Sequence, residues 1–96
     1  MKVKTSSGFA CDIPEGLAND FRFLKAHRAL KSDDRNKSDQ AAVDLVSIVF
    51  CDEATEERFF EHLADEHGRV PIATVYQELG EILTQAAGKS KKVKNS

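Results

Sequence analysis

Asp65–Val75 reads DEHGRVPIATV, with two acids, a histidine, a glycine, an arginine and a proline set between two stretches of helical periodicity. An EF-hand calcium loop needs oxygen ligands at alternate positions, glycine at the sixth and glutamate at the twelfth. Counting from Asp65 puts Val70 sixth and Tyr76 twelfth; counting from Leu63 corrects the glycine but places Arg69 and Thr74 where oxygen donors and the glutamate belong. The calcium reading fails in both registers. A helix–loop–helix corner fits every residue: Gly68 takes the left-handed conformation that ends a helix, Arg69 complements the carboxyl-terminal dipole, and Pro71 is preset for the first turn of the next helix.

Working outward, the stretch before the corner, Asp52 to His67, turns Phe59, Phe60, Leu63 and Ala64 inward and Glu53, Glu56, Glu57, Glu61 and Glu66 outward. From Asp52 to Glu66 seven acids face one base, Arg58. After the corner, a helix beginning near Pro71 uses Ile72, Val75, Tyr76, Leu79, Ile82 and Leu83 at three- and four-residue spacing, with Glu78 and Glu81 read as exposed. Upstream, a helix capped by Ser38 or Asp39 and running to about Phe50 is apolar nearly all round, which marks the centre of a bundle. KSDDRNKSD (Lys31–Asp39) is then an exposed connection. Before it, Asp12-Ile-Pro-Glu15 reads as a helix start, followed by a stripe of Leu17, Phe21, Phe23, Leu24 and Ala26 up to Leu30. Val3, Thr5, Phe9, Cys11 and Ile13 alternate around SSG as a short β-hairpin.

The fold class expected is mainly α: about four helices with an amino-terminal hairpin in one domain, residues 1–87, then a flexible Lys-rich tail, residues 88–96. A chain of 96 residues supports one modest core. Its 41% hydrophobic and 31% charged content suits a folded domain, and a net charge of −2 gives no general bias towards nucleic acid or membrane. The amino terminus has no signal-peptide h-region, and the apolar run VDLVSIVFC is broken by Asp44 and Ser47, so no membrane span is expected. Cys11 and Cys51, without CxxC spacing, read as two buried thiols.

Catalytic, metal and cofactor sites are not expected. His62 and Glu66 share a helical face, but His67 lies about 140° round the helix from His62 and cannot join them. No spacing links Cys51 to a histidine. A DNA-binding helix-turn-helix is suggested by Ala64 and Gly68, but no lysine or arginine lies between Val70 and Gly88, and an acidic recognition helix is repelled by phosphate. Nucleic acid is thereby disfavoured.

The runs FFEHLADEHGRVPIATVYQELGEIL, VSIVFCDEATEER and SSGFACDIPE together resemble the tail assembly chaperones of siphovirus-type phages and prophages, over most of the chain. The resemblance implies a non-catalytic assembly factor in the cytoplasm of the bacterial host, absent from the mature virion. It also implies binding to the tape measure protein and recruitment of tail tube protein, and, in many relatives, a longer product made by ribosomal frameshifting. Gly88, Lys89, Lys91 and Lys92 mark the candidate frameshift region; a gene without a slippery heptamer there would sink that idea. A helical client needs an exposed apolar groove. Phe21, Phe23, Phe59, Phe60, Tyr76 and Leu79 are the candidate contacts to it or to a second copy in a homo-oligomer. The alternatives are a small helix-turn-helix DNA-binding regulator and a prophage protein-interaction module.

Overall fold

The computed structural model describes the backbone of residues 1–95 and the side chains of residues 1–87. Strands β1 (Lys2–Lys4) and β2 (Ala10–Asp12) are followed by a 3₁₀ turn, Leu17–Asn19, and by helices α1 (Phe21–Leu30), α2 (Arg35–Val49), α3 (Glu53–Leu63) and α4 (Ile72–Asn95). The protein is mainly helical with an amino-terminal hairpin. The tail expected over residues 88–96, including Gly88, Lys89, Lys91 and Lys92, falls outside the residues described with side chains.

The hairpin pairs Val3 with Cys11 in antiparallel register. Gly8 closes its three-residue loop at φ 94°, a left-handed conformation that glycine adopts without a Cβ penalty. The period-2 alternation buries Val3, Thr5, Phe9 and Ile13 on one face. Cys11 is half-buried on the same face, and Cys51 is exposed, so the expectation of two buried thiols is corrected. Burial pushes the Cys11 thiol pKa up; the Arg58 charge opposes this and the Asp12 charge adds to it.

Three helix boundaries differ from the expected ones. Asp12 lies in β2 and starts no helix. Gly16 at φ 75° breaks the chain direction, since a left-handed residue cannot continue a right-handed helix. The cap of α1 is Asp20, whose carboxylate accepts from Arg22 N–H at 2.8 Å. This start rotates the buried stripe onto Phe23 and Ala26 and leaves Phe21 76% exposed and Leu24 40% exposed.

Asp34, four residues before Ser38, caps α2 by accepting from Asn36 and Lys37 N–H. The connection therefore shortens to residues 31–34, and Ser38 and Asp39 enter the helix, half-buried. In α2, Leu45 and Val49 are fully enclosed and Ala41, Ala42 and Val46 are buried, which puts the helix at the centre as expected. Val43 is the exception to its all-round apolar reading, at 62% exposure.

Asp52 caps α3, accepting from Ala54 N–H at 2.9 Å and Thr55 Oγ1–H at 2.7 Å. The helix ends at Leu63, because Ala64 is extended, and so stops well short of His67. Asp65 organises the corner instead: its carboxylate accepts from the N–H groups of His67 (2.8 Å) and Arg69 (3.0 Å), and its carbonyl from Gly68 N–H (3.0 Å). Gly68, at φ 77°, is left-handed as expected but closes this Asx-type turn and does not cap α3. Arg69 joins the turn through its backbone, not as a cation at the helix end. Pro71 precedes α4 and accepts from Val75 N–H at 3.1 Å, as its fixed φ suits.

Phe9, Phe50 and Phe59 form the aromatic centre of the core, with ring centroids 4.8–6.1 Å apart. Leu45, Val49, Leu79, Ile82 and Leu83 complete it. Each enclosed side chain of this size contributes roughly 1.5–3 kcal/mol through loss of its water contact.

Candidate functional site

A groove of about 380 Å³ opens where α2, α3 and the start of α4 meet. On α2, Asp39, Ala42, Val43, Val46 and Ser47 repeat at three- and four-residue spacing, which places them on one face. Glu56 and Phe60, one turn apart, supply the α3 wall, and Val70, Ile72, Val75 and Tyr76 the third side. Val43 and Ile72 are each 62% exposed, so this apolar surface is left open to water. Among the described residues, the charged groups lining it are the carboxylates of Asp39 and Glu56.

Tyr76 is fixed at the groove edge by its hydroxyl, which donates to Asp39 Oδ1 at 2.7 Å. Ser38 Oγ lies 3.1 Å from the Tyr76 hydroxyl oxygen and 2.9 Å from Leu30 O, and its single proton serves one of these two acceptors at a time. The Ser38 bond acts to lower the Tyr76 pKa, but burial and the bond to the charged Asp39 outweigh it, and the net direction is up. Arg35 sits 3.9 Å from Asp39 and keeps that carboxylate partly compensated. The groove therefore has one hydrogen-bonded edge and an aliphatic floor.

Of the six residues expected to meet a partner, the structure brings two to this groove, Phe60 and Tyr76. Phe23, Phe59 and Leu79 are 3%, 0% and 0% exposed and belong to the core, where no partner reaches them. Phe21 is exposed at the start of α1 and does not line the groove. Val43, within the helix read as apolar nearly all round, and Ile72, in the stripe of the last helix, are its open walls. Three-residue spacing could not separate them from core positions, because their apolar character is the same and only the neighbouring helices differ.

A polar seam escaped the sequence reading altogether. Glu78, read as exposed, is 3% exposed, and it accepts from Ser7 Oγ–H at 2.7 Å. Glu81 accepts from Ser6 N–H and Ser6 Oγ–H, both at 2.8 Å. His62 Nε2 lies 3.0 Å from Ser7 Oγ and 3.2 Å from the Ser7 carbonyl oxygen. A carbonyl only accepts and the serine proton is committed to Glu78, so the imidazole acts here as an N–H donor. An activated serine needs the reverse, an imidazole nitrogen that accepts the serine proton. This trio braces the hairpin turn against α3 and α4.

Among the described residues, no three His, Cys, Asp or Glu side chains gather as a metal site. His62 is occupied at the hairpin, while His67 faces Glu66 at 3.6 Å on the exposed corner. No helix among the described residues is long and apolar enough to cross a membrane. No family model matches the chain, and no curated protein or solved structure matches it either.

Proposed function

We propose that this protein is a non-catalytic assembly chaperone of the phage tail type, which holds an amphipathic helical segment of a tape measure protein in the groove between α2, α3 and α4. The single observation that carries the reading is the open apolar surface around Val43, Phe60 and Ile72, framed by carboxylates and pinned at one edge by Tyr76. An amphipathic helix binds by laying a stripe of i, i+3, i+4 and i+7 side chains into such a groove. The sequence resemblance to tail assembly chaperones names the client. In this reading the protein acts in the bacterial cytoplasm before the virion is complete, and bound client then recruits tail tube subunits.

The chemistry required is modest. A long client rich in helical apolar stripes aggregates when unassembled, and a reversible contact that covers one stripe lowers the concentration of exposed surface without closing the client's remaining faces. The half-open groove suits a holdase that must later release.

Co-expression with the tape measure protein from the same locus tests the proposal. A client that becomes soluble and co-purifies supports it. A client that stays insoluble with and without this chain, or a locus with no such gene, overturns the chaperone reading and leaves a protein-interaction module of other specificity.

A further inference from the structure

The hairpin has two edges; α4 satisfies Lys4 on one of them and leaves the outward peptide groups of Lys2 without a partner among the described residues. Met1 and Ile13 exchange two backbone bonds, at 2.9 and 2.8 Å, and Thr5 N–H donates to Phe9 O at 2.9 Å. Antiparallel alternation makes Val3 and Cys11 a bonded pair as well, so the peptide groups of Lys2, Lys4, Ala10 and Asp12 point away from the partner strand. On the β1 side, Gln85 satisfies Lys4 in both directions, accepting from its N–H at 3.3 Å and donating to its carbonyl at 2.8 Å. On the β2 side, Ala10 C=O accepts from Arg58 Nη2 at 3.1 Å. The N–H groups of Ala10 and Asp12 and the carbonyl of Asp12 have no partner among the described residues.

A cleft of about 650 Å³ runs beside this open edge, between Ala10–Asp12 and the junction of α2 with α3. Its walls include Cys11, Val49, Phe50, Cys51, Thr55 and Arg58. We propose that β2 accepts a third, antiparallel strand from an extended partner peptide that sets a basic residue opposite Asp12 and an apolar one opposite Cys11.

The side chains of β2 dictate that choice. Directly opposed residues share a face, so the peptide residue opposite Cys11 enters the cleft over Val49 and Phe50, where an aliphatic side chain loses water contact. The residue opposite Asp12 lies on the exposed face, and the Asp12 carboxylate forms no ion pair among the described residues. On its other edge β2 faces Lys2 opposite Asp12, Val3 opposite Cys11 and Lys4 opposite Ala10. Pro14, which has no N–H, and the turn at Gly8 limit the accepting edge to these three residues. Main-chain bonds supply affinity and alternate side chains supply selectivity, as in other strand-addition interfaces.

The test is titration of the ¹⁵N-labelled protein with the acetylated hexapeptide TKVKVT. The amides of Ala10 and Asp12 are expected to shift and to exchange more slowly, while those of Val3 and Cys11, already bonded in the ladder, keep their protection. Ala10→Pro removes one outward N–H that gives nothing to β1 and weakens the peptide about fivefold or more; Asp12→Lys weakens it through charge. The same peptide N-methylated at both lysines does not bind the unaltered protein, a comparison that stands even where a variant folds poorly. Unresponsive Ala10 and Asp12 amides at millimolar peptide, or equal binding of the methylated and plain peptides, would overturn the proposal.

Discussion

Phe59 and Phe60 are adjacent in the chain and meet opposite conditions. Phe59 packs between Phe9 and Phe50 with no exposed surface, whereas Phe60, 5.9 Å from Phe59 between centroids, is half-buried and walls the groove. The first region is closed by the hairpin and α4, whose polar seam of Ser6, Ser7, Glu78 and Glu81 seals its rim. The second has apolar side chains too, and no element among the described residues is laid over them. What separates the closed core from the open groove here is the presence of a covering strand turn, since both regions are lined by apolar side chains.

Substitutions at these two residues give the largest contrast. Phe59→Ala is expected to cost about 3–5 kcal/mol in chemical denaturation, through lost transfer energy and the cavity left behind. Phe60→Ala costs about 1 kcal/mol, because its site already borders water. Similar losses at both would erase the distinction between the regions.

The seam comes next in size. Glu78→Ala removes a buried acceptor and leaves the Ser7 hydroxyl short of its partner, for a loss of about 1–2 kcal/mol, while Glu78→Gln retains an acceptor and recovers part of it. If melting curves of the two variants coincide with that of the unaltered protein, the seam does not seal the core.

How far the contrast was legible in the sequence follows from the same residues. The hairpin, the number of helices and the central place of α2 are local or periodic properties, and alternation around SSG or an apolar run of this length announces them. The starts of α3 and α4 were legible at Asp52 and Pro71, but that of α2 was not, because Asp34, Ser38 and Asp39 have equivalent capping chemistry and the choice among them depends on Ser38 reaching Leu30 O and Asp39 reaching Tyr76. Glu78 read as solvated because its partner, Ser7, is 71 positions away. The available signal was the spacing of Glu78, Glu81 and Gln85, which sets a polar row beside the apolar stripe of α4. The groove was half legible: Phe60 and Tyr76 were named, while Val43 and Ile72 were read as part of apolar helix faces over which the core does not extend.

A smaller effect concerns pH. Burial, with the Lys31 charge adding to it, lowers the pKa of His27 below its ordinary 6.5. The folded state thus prefers the neutral imidazole, and the associated stability is present above pH 6.5 and lost as pH falls through the lowered folded value. His27→Gln should flatten that part of the stability profile, measured by denaturation between pH 7.5 and 5. An unchanged slope would place the titrating group elsewhere.

The smallest expected change in stability is at the groove walls. Val43→Ser and Ile72→Ser each shift unfolding by within about 0.5 kcal/mol, as surface substitutions do. A larger loss would mean that these side chains support the fold after all.

The most direct measurement pairs folding with capture, using the double variant Val43→Asp, Ile72→Asp co-expressed with the tape measure protein. The groove as a client surface requires a melting curve like that of the unaltered protein together with client recovery reduced about tenfold or more. Full client recovery by the folded double variant would contradict it and move the client surface away from α2, α3 and α4.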